Sequence, residues 1–391
     1  MALQGRKVLF AWELGEGLGH LPALKAIALG LKRDGVRPVF VVRDAKMALP
    51  TLVEVGGDLR TAPHWAKPKL ARSPSGSYAD LLQGNGYSSA AHAQVLIAAW
   101  DKLIDDVKPD LVVCEHAPSA ALSAFGRLPV AFVGNGFVVP PANHDVFPPY
   151  VDGRGDARNQ QPVFVAIQEA FALMGRRAPS TLCEAFRGAF RGIYSFPELD
   201  TYRRLRQEPV LGPIETPPPL TPLPSKRQIY FYSAANLAMI ETLMQCVMDV
   251  GPSSQAFFRG TLGVRAAVLR SRGVHVFDSP PSLASVLAPA NVVFSHGGTG
   301  FTNAALASGR PHIVYPRHFE AHATAQALVE MGCGICLEPF DVSSFRLALA
   351  RANEDRTMQD AAQQAGARAH AFVAKANALE VSLAALRMLL N

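Results

Sequence analysis

Cysteine, charge and long apolar runs are all scarce in this sequence. Five cysteines in 391 residues are few and odd in number, which excludes a disulfide-stabilised secreted scaffold and favours a reducing cytoplasm. No apolar run approaches the ~20 residues that a membrane-spanning helix needs. Cys333 and Cys336 have redox or zinc spacing, but they lie in an apolar stretch without a second pair, so we expect buried core.

The few charged residues are mostly basic. They make up 18% of the chain and leave a net charge of +6, which suits an anionic ligand or an anionic membrane surface. The first residues enter a strand-like segment without a signal-peptide pattern, so we expect a cytoplasmic protein, with membrane association left open. No nucleic-acid partner is predicted, and the oligomeric state stays open.

Buried strands alternate with amphipathic helices along the chain. Lys7–Trp12 and Pro38–Val42 are apolar runs of strand length, and between them Leu21, Leu24 and Leu31 recur at helical spacing. This strand-helix-strand order predicts a parallel sheet with helices on its faces. About half of the residues are apolar, which is enough to build two cores at this length.

A proline-rich segment divides the chain in two. Thr216–Pro224 can form neither a helix nor a central strand, and the strand-helix alternation restarts after it at Ile229–Ser233. The alanine-rich stretch Asp360–Asn391 is predicted to be helical. We therefore predict an α/β fold of two doubly wound domains facing a cleft. The predicted bounds are 1–214 for the first domain, 215–226 for the linker, 227–370 for the second domain and 371–391 for a terminal helix.

A glycine-rich loop follows a strand in the second half. Ser295–Gly300 reads Ser-His-Gly-Gly-Thr-Gly and precedes a predicted helix at Thr302–Ala307. Glycines let a ligand approach the backbone closely, and amides at a helix start attract anions. The loop therefore indicates a pyrophosphate site in which His296 adds a ring N–H donor. The alternative is a tight turn that binds nothing.

The stretch from Val292 to Leu337 resembles the donor-binding signature of nucleotide-sugar glycosyltransferases. These are the families that include the UDP-glucuronosyltransferases, small-molecule glycosyltransferases of plants and bacteria, and the transferase that makes lipid II. The matching residues are His296, Gly297, Gly298, Gly300, Ala305, Leu306, Gly309, Pro311, Pro316, Glu320, Ala325, Gly332, Cys333 and Gly334. The resemblance implies a GT-B fold whose C-terminal helix returns to the first domain.

The resemblance also implies roles for particular residues. The amides of the loop, including those of Gly297, Gly298, Thr299 and Gly300, would hold the diphosphate while His296 contacts a phosphate. Glu320 would bind hydroxyls of the donor sugar. Ser233 would approach the phosphates, and Ser279 lies in the loop that seats the nucleobase.

Three positions depart from the family pattern. Phe301 replaces a usual small hydroxyl residue beside the phosphate pocket. Ala304 stands where a glutamate commonly binds both ribose hydroxyls, which favours a dTDP-sugar over a UDP-sugar because deoxyribose lacks one of those hydroxyls. Asn303 or a backbone group is the alternative ribose partner. Ala321 stands where a glutamine commonly binds the sugar, so the sugar is not identified.

The loop after the first strand predicts a catalytic base. Its glycine spacing is wrong for a dinucleotide fingerprint, because His20 occupies the place of the last glycine. Gly19-His20 followed by Pro22 resembles the element that carries the general base in these families, and imidazole has a suitable pKa. Glu115 stands where the family has the acid that orients this ring. His116 is the rival acid–base candidate, and His20 as a mere pocket residue is the alternative role.

Apolar and aromatic segments are candidates for the acceptor site. Trp65, Asn135 and Phe137 are predicted to line a pocket for a hydrophobic or lipid-like hydroxyl compound. The arginine-containing stretch Phe164–Phe190 is either an amphipathic helix that touches anionic lipid or a packed helix.

The prediction is an inverting, metal-independent bacterial hexosyltransferase that takes a hexose or deoxyhexose from a nucleotide sugar. No cofactor and no metal are expected, since His318 and His322 share a helix face but no third ligand is evident. The rivals are a nucleotide-sugar 2-epimerase of the same architecture and a non-catalytic nucleotide-sugar-binding protein.

Overall fold

The computed structural model describes residues 3–15, 17–63, 76–150, 159–236, 238–375 and 377–391. The chain forms two compact units. Unit 1 consists of Met1–Glu215 and Ala376–Asn391, and unit 2 consists of Thr216–Lys375.

Unit 1 begins with strands and helices in alternation. They are β1 Lys7–Trp12, α1 Leu21–Arg33, β2 Arg37–Val42, α2 Ala45–Leu52, β3 Asp58–Thr61, α3 Tyr78–Gly84, α4 Ala90–Val107, β4 Leu111–Glu115, α5 Pro118–Ala124, β5 Val130–Gly134, α6 Gln161–Leu173 and β6 Phe190–Ile193.

The sequence explains why these elements form. Along β1, Leu9 and Ala11 pack into the core on one face of the sheet, whereas Val8, Phe10 and Trp12 pack on the other. This alternation follows from the two-residue period of a strand, and burial on both faces explains the continuous apolar run.

Unit 2 repeats the alternation and ends with consecutive helices. Its elements are β7 Ile229–Ala234, α7 Ile240–Val250, β8 Ser254–Arg259, α8 Val264–Ser271, β9 His275–Val276, α9 Leu283–Leu287, β10 Val292–Ser295, α10 Thr299–Ala307, β11 His312–Val314, α11 Phe319–Glu330, β12 Gly334–Cys336, α12 Val342–Glu354 and α13 Arg356–Val373.

Each unit contains a six-stranded parallel sheet with the same order. The orders are β3-β2-β1-β4-β5-β6 in unit 1 and β12-β11-β10-β7-β8-β9 in unit 2. Each sheet reverses its winding at a switch point, between β1 and β4 in unit 1 and between β7 and β10 in unit 2. Ligands of doubly wound sheets bind at the carboxyl ends of the strands at this point.

The chain returns to unit 1 through α14, Ala378–Leu390, as the GT-B resemblance implies. Leu383 packs against Gly30 of α1, where a Cβ would overlap the leucine side chain. The Tyr194 and Ser382 hydroxyls lie 2.7 Å apart, and Arg387 donates to Asp34 at 2.8 Å. An apolar face and two polar contacts therefore hold α14 on unit 1.

Two predicted helices differ from the structure. The stretch Asp360–Asn391 is helical apart from a break, because α13 ends at Val373 and the Asn377 side chain caps a new helix by accepting from two amides. A single helix over Phe164–Phe190 is wrong. In that stretch α6 ends at Leu173, just before Gly175 takes a positive φ of 64°.

Two arginines in or just after this stretch are bound within the protein. Arg176 donates to Asp101 and to carbonyls at the end of α5, and Arg191 donates to Glu208. Both side chains are largely buried by these contacts. None of the described helices is long and apolar enough to cross a membrane.

Candidate active site

The switch point of unit 1 brings together two residues that are far apart in sequence. Trp12, the last residue of β1, lies opposite Glu115, the last residue of β4. After β1 the chain forms a short 3-10 turn at Leu18–His20 before α1 begins at Leu21. The parallel pairing therefore places His20 and Glu115 at the same edge of the sheet.

His20 and Glu115 form a close pair. The His20 Nδ1 atom lies 2.9 Å from Glu115 Oε1 and 2.8 Å from Oε2. The ring stacks on Trp12, with centroids 5.2 Å apart, and the Trp12 indole is itself held by a 2.7 Å bond to the Leu14 carbonyl. Because Nδ1 donates to the carboxylate, Nε2 carries the lone pair of the neutral imidazole.

The loop before His20 lies directly against Nε2. Gly15 has a φ of 91°, and a Cβ at this position would overlap Nε2 and Cε1 of His20. Glycine is required here for two reasons. Residues with a side chain rarely adopt this φ, and the His20 ring occupies the space that a Cβ would fill. The histidine side chain is 18% exposed and that of Glu115 is 5% exposed, so the pair is sheltered but reachable.

Sequence reasoning missed Glu13, a buried carboxyl group directly after β1. It accepts from the Ser119 amide at 2.8 Å, the Ser119 hydroxyl at 2.6 Å and the Tyr87 hydroxyl at 2.9 Å. Burial raises its pKa to about 7, against the opposing effect of these donors. The sequence offered one signal for Glu13, an acidic residue directly after an apolar strand. Its hydrogen-bond partners are distant in the sequence, so the sequence does not reveal them.

Aromatic residues surround the segment predicted to bind the acceptor. Phe137 stacks on Tyr150 with centroids 5.3 Å apart and meets His116 edge-on at 6.1 Å. The side-chain oxygen of Asn135 accepts hydrogen bonds from the backbone amides of Phe137 and Val138, so this side chain stabilises the turn. Trp65 lies outside the described residues.

A buried ion pair supports the turn that carries Phe137. Asp200 pairs with Arg206 at 2.6 Å, and both side chains are almost completely buried. Arg206 also donates to the carbonyls of Gly136 and Val139. A Cβ on Gly136 would overlap the Asp200 carboxylate, so the turn lies directly against this pair.

The glycine loop of unit 2 lies at the switch point of the second sheet. The Ser295 hydroxyl at the end of β10 accepts from the Gly297 amide at 3.0 Å and contacts His312 Nε2 at 2.8 Å. Gly297 has a φ of 80°, and a Cβ there would lie 3.0 Å from Ala321 Cβ. These contacts shape the turn from which α10 starts.

The first turn of α10 begins earlier than predicted. Thr299 and Gly300 already belong to the helix, and Gly298 caps it without a side-chain hydrogen bond. The first amides of a helix lack intrahelical acceptors, so this end attracts anions. The Thr299 hydroxyl donates to Glu320 Oε1 at 2.6 Å, which joins the first turns of α10 and α11.

His296 faces this helix end as a neutral ring. Its Nε2 would lie 3.4 Å from a Cβ on Gly298, and the ring stacks on Tyr232 with centroids 5.5 Å apart. Burial, together with the nearby cations Arg259 and Arg317, lowers the pKa of His296 to about 4. The sequence analysis missed these two exposed arginines, although each follows or ends a strand.

The remaining predicted donor residues take different positions. Ser233 is fully buried in β7, and its hydroxyl has no hydrogen-bond partner among the described residues. Ser279 lies in the exposed loop after β9. His318 is the N-cap of α11, where Nδ1 accepts from the Ala321 amide at 3.4 Å.

Several solved glycosyltransferase structures share the architecture of this chain. The solved structure of CalG4, the calicheamicin glycosyltransferase, superposes with a TM-score of 0.73 at 18% identity and covers 99% of each chain. SsfS6 from Streptomyces sp. SF2575, a glycosyltransferase complexed with thymidine diphosphate, gives 0.60 at 16% identity over 94% of this chain and 96% of its own. The chain therefore has the GT-B fold, as the sequence resemblance implied.

One family model and several sequence relatives also match the chain. Residues 272–382 match the family of the erythromycin biosynthesis protein CIII-like C-terminal domain. Elloramycin glycosyltransferase ElmGT of Streptomyces olivaceus is 44% identical over 62 residues, 16% of each chain. A PGL/p-HBAD biosynthesis glycosyltransferase of Mycobacterium tuberculosis is 26% identical over 283 residues, 66% of this chain and 65% of its own. The resemblance to GT-B glycosyltransferases is thereby confirmed, while the chain spans less than two thirds of these relatives.

Proposed function

We propose that this protein is an inverting glycosyltransferase that moves a hexose or deoxyhexose from a nucleoside-diphosphate sugar to an acceptor hydroxyl. The observation that carries the proposal is the pair formed by His20 Nδ1 and Glu115 at the carboxyl ends of β1 and β4. A histidine held by a buried carboxylate is the arrangement of a general base.

In the proposed reaction the acceptor O–H gives its proton to His20 Nε2. The oxygen then forms a bond to the anomeric carbon while the bond from that carbon to the diphosphate oxygen breaks. Attack from the face opposite the leaving group inverts the anomeric configuration. Glu115 stabilises the imidazolium that forms, because its carboxylate lies 2.8 Å from Nδ1.

Unit 2 supplies the groups that would hold the departing diphosphate. The amides at the start of α10 and the neutral His296 ring are donors, while Arg259 and Arg317 add positive charge near that ring. Donors fixed in position stabilise developing negative charge without reorganisation. We propose that these groups neutralise the leaving diphosphate, so the transfer requires neither a metal ion nor a cofactor.

We propose dTDP as the nucleotide. Ala304 is buried in an apolar cluster with Tyr230, Val286 and Phe301, so this position itself offers no carboxylate to a ribose diol. The structures of SsfS6 with thymidine diphosphate and of VinC with dTDP support this choice, since both share the fold. In this arrangement the Glu320 carboxylate would bind hydroxyls of the donor sugar.

We propose a hydrophobic, hydroxyl-bearing acceptor. The aromatic residues near the base include His116, Phe137 and Tyr150, which suit the apolar body of an aglycone or lipid-like compound. The spinosyn rhamnosyltransferase SpnG, whose structure was solved with the spinosyn aglycone, offers support at the level of the fold.

The test is product formation by the purified chain. dTDP-glucose and UDP-glucose are each incubated with a panel of apolar hydroxyl compounds, and mass spectrometry detects acceptor plus hexose. We expect product with dTDP-glucose, loss of product in His20→Ala, and unchanged product in His144→Ala, which removes an exposed histidine of unit 1.

Three results would overturn the proposal in different ways. Conversion of a UDP-sugar to its 2-epimer without acceptor would make the protein an epimerase. Tight donor binding without product from any acceptor would make it a binding protein. A product whose anomeric proton coupling matches the donor configuration would exclude inversion.

A further inference from the structure

The end of β12 presents two ligand-bearing side chains away from the core. Leu337 follows Cys336 and is buried in the core of unit 2 with Ile313 and Phe340. Alternate residues of an extended chain point to opposite sides. Cys336 and Glu338 therefore share the side opposite Leu337, and both are partly exposed there.

His322 of α11 meets these two residues. Its Nε2 lies 3.4 Å from Glu338 Oε2, and the side chains of His322 and Glu338 are 12% and 28% exposed. One ligand atom from each of His322, Cys336 and Glu338 lies within 4.8 Å of the other two. An imidazole nitrogen, a sulfur and a carboxylate oxygen thus converge at one point.

We propose that His322, Cys336 and Glu338 form a zinc site. Zinc binds sulfur at ~2.3 Å, imidazole at ~2.0–2.1 Å and carboxylate at ~2.0–2.2 Å in tetrahedral geometry. Ligand atoms around it are therefore about 3.3–3.7 Å apart. The 3.4 Å separation of His322 Nε2 and Glu338 Oε2 already fits this range, and the remaining pairs, all within 4.8 Å, need to contract by no more than about 1.5 Å. The thiolate favours zinc over magnesium or calcium, and three protein ligands leave the fourth position for water.

The proposed ion has a positioning role, separate from the transfer chemistry. His322 lies on the first turn of α11, two residues after Glu320, whose carboxylate accepts from the Thr299 hydroxyl. A metal bond from this turn to the end of β12 would fix the segment that carries Glu320. This site goes beyond the proposed function, and no step of that reaction runs through the ion.

The test uses the full chain stripped with a chelator and then titrated with Zn²⁺ or Co²⁺. We expect one ion per chain and, with Co²⁺, a thiolate-to-cobalt charge-transfer band in the near ultraviolet. Cys336→Ser should abolish the band, and His322→Gln and Glu338→Gln should weaken binding. His275→Gln, which removes an exposed histidine of the same unit, should bind as the wild type does.

Thermal unfolding separates a lost site from a lost fold. With chelator present, Cys336→Ser should unfold at the wild-type temperature, and Zn²⁺ should raise the unfolding temperature of the wild type and of His275→Gln but not that of Cys336→Ser. A cobalt band that survives Cys336→Ser, or zinc binding weakened by His275→Gln but not by the three ligand variants, would overturn the proposal. These readouts do not depend on transferase activity, so the failure of the proposed function would leave them intact.

Discussion

The Nδ1 atom of His20 lies 2.8 Å from Oε2 of Glu115, although 95 residues separate them in the sequence. The two residues meet because β1 and β4 are neighbours at the switch point of a parallel sheet, with Trp12 opposite Glu115. A buried carboxylate beside one ring nitrogen directs the basicity of the other nitrogen towards a substrate.

Removal of the Glu115 charge should lower the transfer rate. General bases contribute about 10²–10⁴-fold, and Glu115→Gln keeps the side-chain shape while removing the charge that stabilises the imidazolium. We expect kcat to fall by about tenfold or more with little change in donor affinity. Steady-state kinetics and dTDP binding measured on the same preparation check this, and an unchanged kcat would contradict it.

Gly15→Ala should disable the base without changing the rest of unit 1. The new Cβ would overlap His20 Nε2, and the φ of 91° would be strained for alanine. We expect a loss of activity comparable to that of His20→Ala, with circular dichroism unchanged. Gly126→Ala is the matched control, since Gly126 also has a positive φ but no atom within 4 Å of its Cβ position. Full activity in Gly15→Ala would contradict this account.

Glu13 should make folding stability fall as the pH rises. Its pKa is raised from 4.5 to about 7, so the folded chain binds a proton that the unfolded chain has released between these values. The contribution is fully present below pH 4.5 and is lost as the pH rises through 7. At about 1.4 kcal/mol per pKa unit, it amounts to about 3 kcal/mol.

Urea unfolding of the wild type and of Glu13→Gln between pH 4.5 and 8 measures this contribution. The difference between their free energies of unfolding should decline across the interval and then level off. Burial raises the pKa values of the neighbouring Tyr87 and Cys114, so these two groups do not titrate in this interval. A pH-independent difference would show that Glu13 titrates normally.

His296 should bind the donor as a neutral ring. Burial lowers its pKa to about 4, so it stays uncharged from pH 6 to 8. A hydrogen bond to a charged phosphate is worth about 1.5–3 kcal/mol, and His296→Ala should therefore weaken dTDP binding by about tenfold to a hundredfold. Calorimetry at pH 6 and pH 8 should give the same ratio of wild-type to variant affinity. A ratio that grows at pH 6 would indicate a charged histidine.

Local sequence patterns predict much of the fold and part of the candidate site. The apolar runs of β1, β2 and β10 are continuous because both faces of a parallel sheet are buried, which makes such strands easy to recognise. The glycine loop at His296 and the histidine after β1 stand at strand ends, where the chain order alone predicts a ligand site.

The remaining features depend on contacts between distant residues. The sequence does not reveal that Tyr87 and Ser119 reach Glu13, or that Cys336 and Glu338 approach His322. The sequence does not show the break after Val373, because the alanine-rich pattern continues through it. Asn377 then caps the start of the next helix, α14. Cap residues and long-range partners are weak signals in a single sequence.

A double-mutant cycle between His20 and Glu115 tests the central claim most directly. The kcat/KM of product formation is measured for the wild type, His20→Ala, Glu115→Gln and the double variant. If Glu115 acts through the His20 ring, the double variant should be within about twofold of His20→Ala alone. Losses that multiply in the double variant would show that the two residues act independently and would contradict the proposed base.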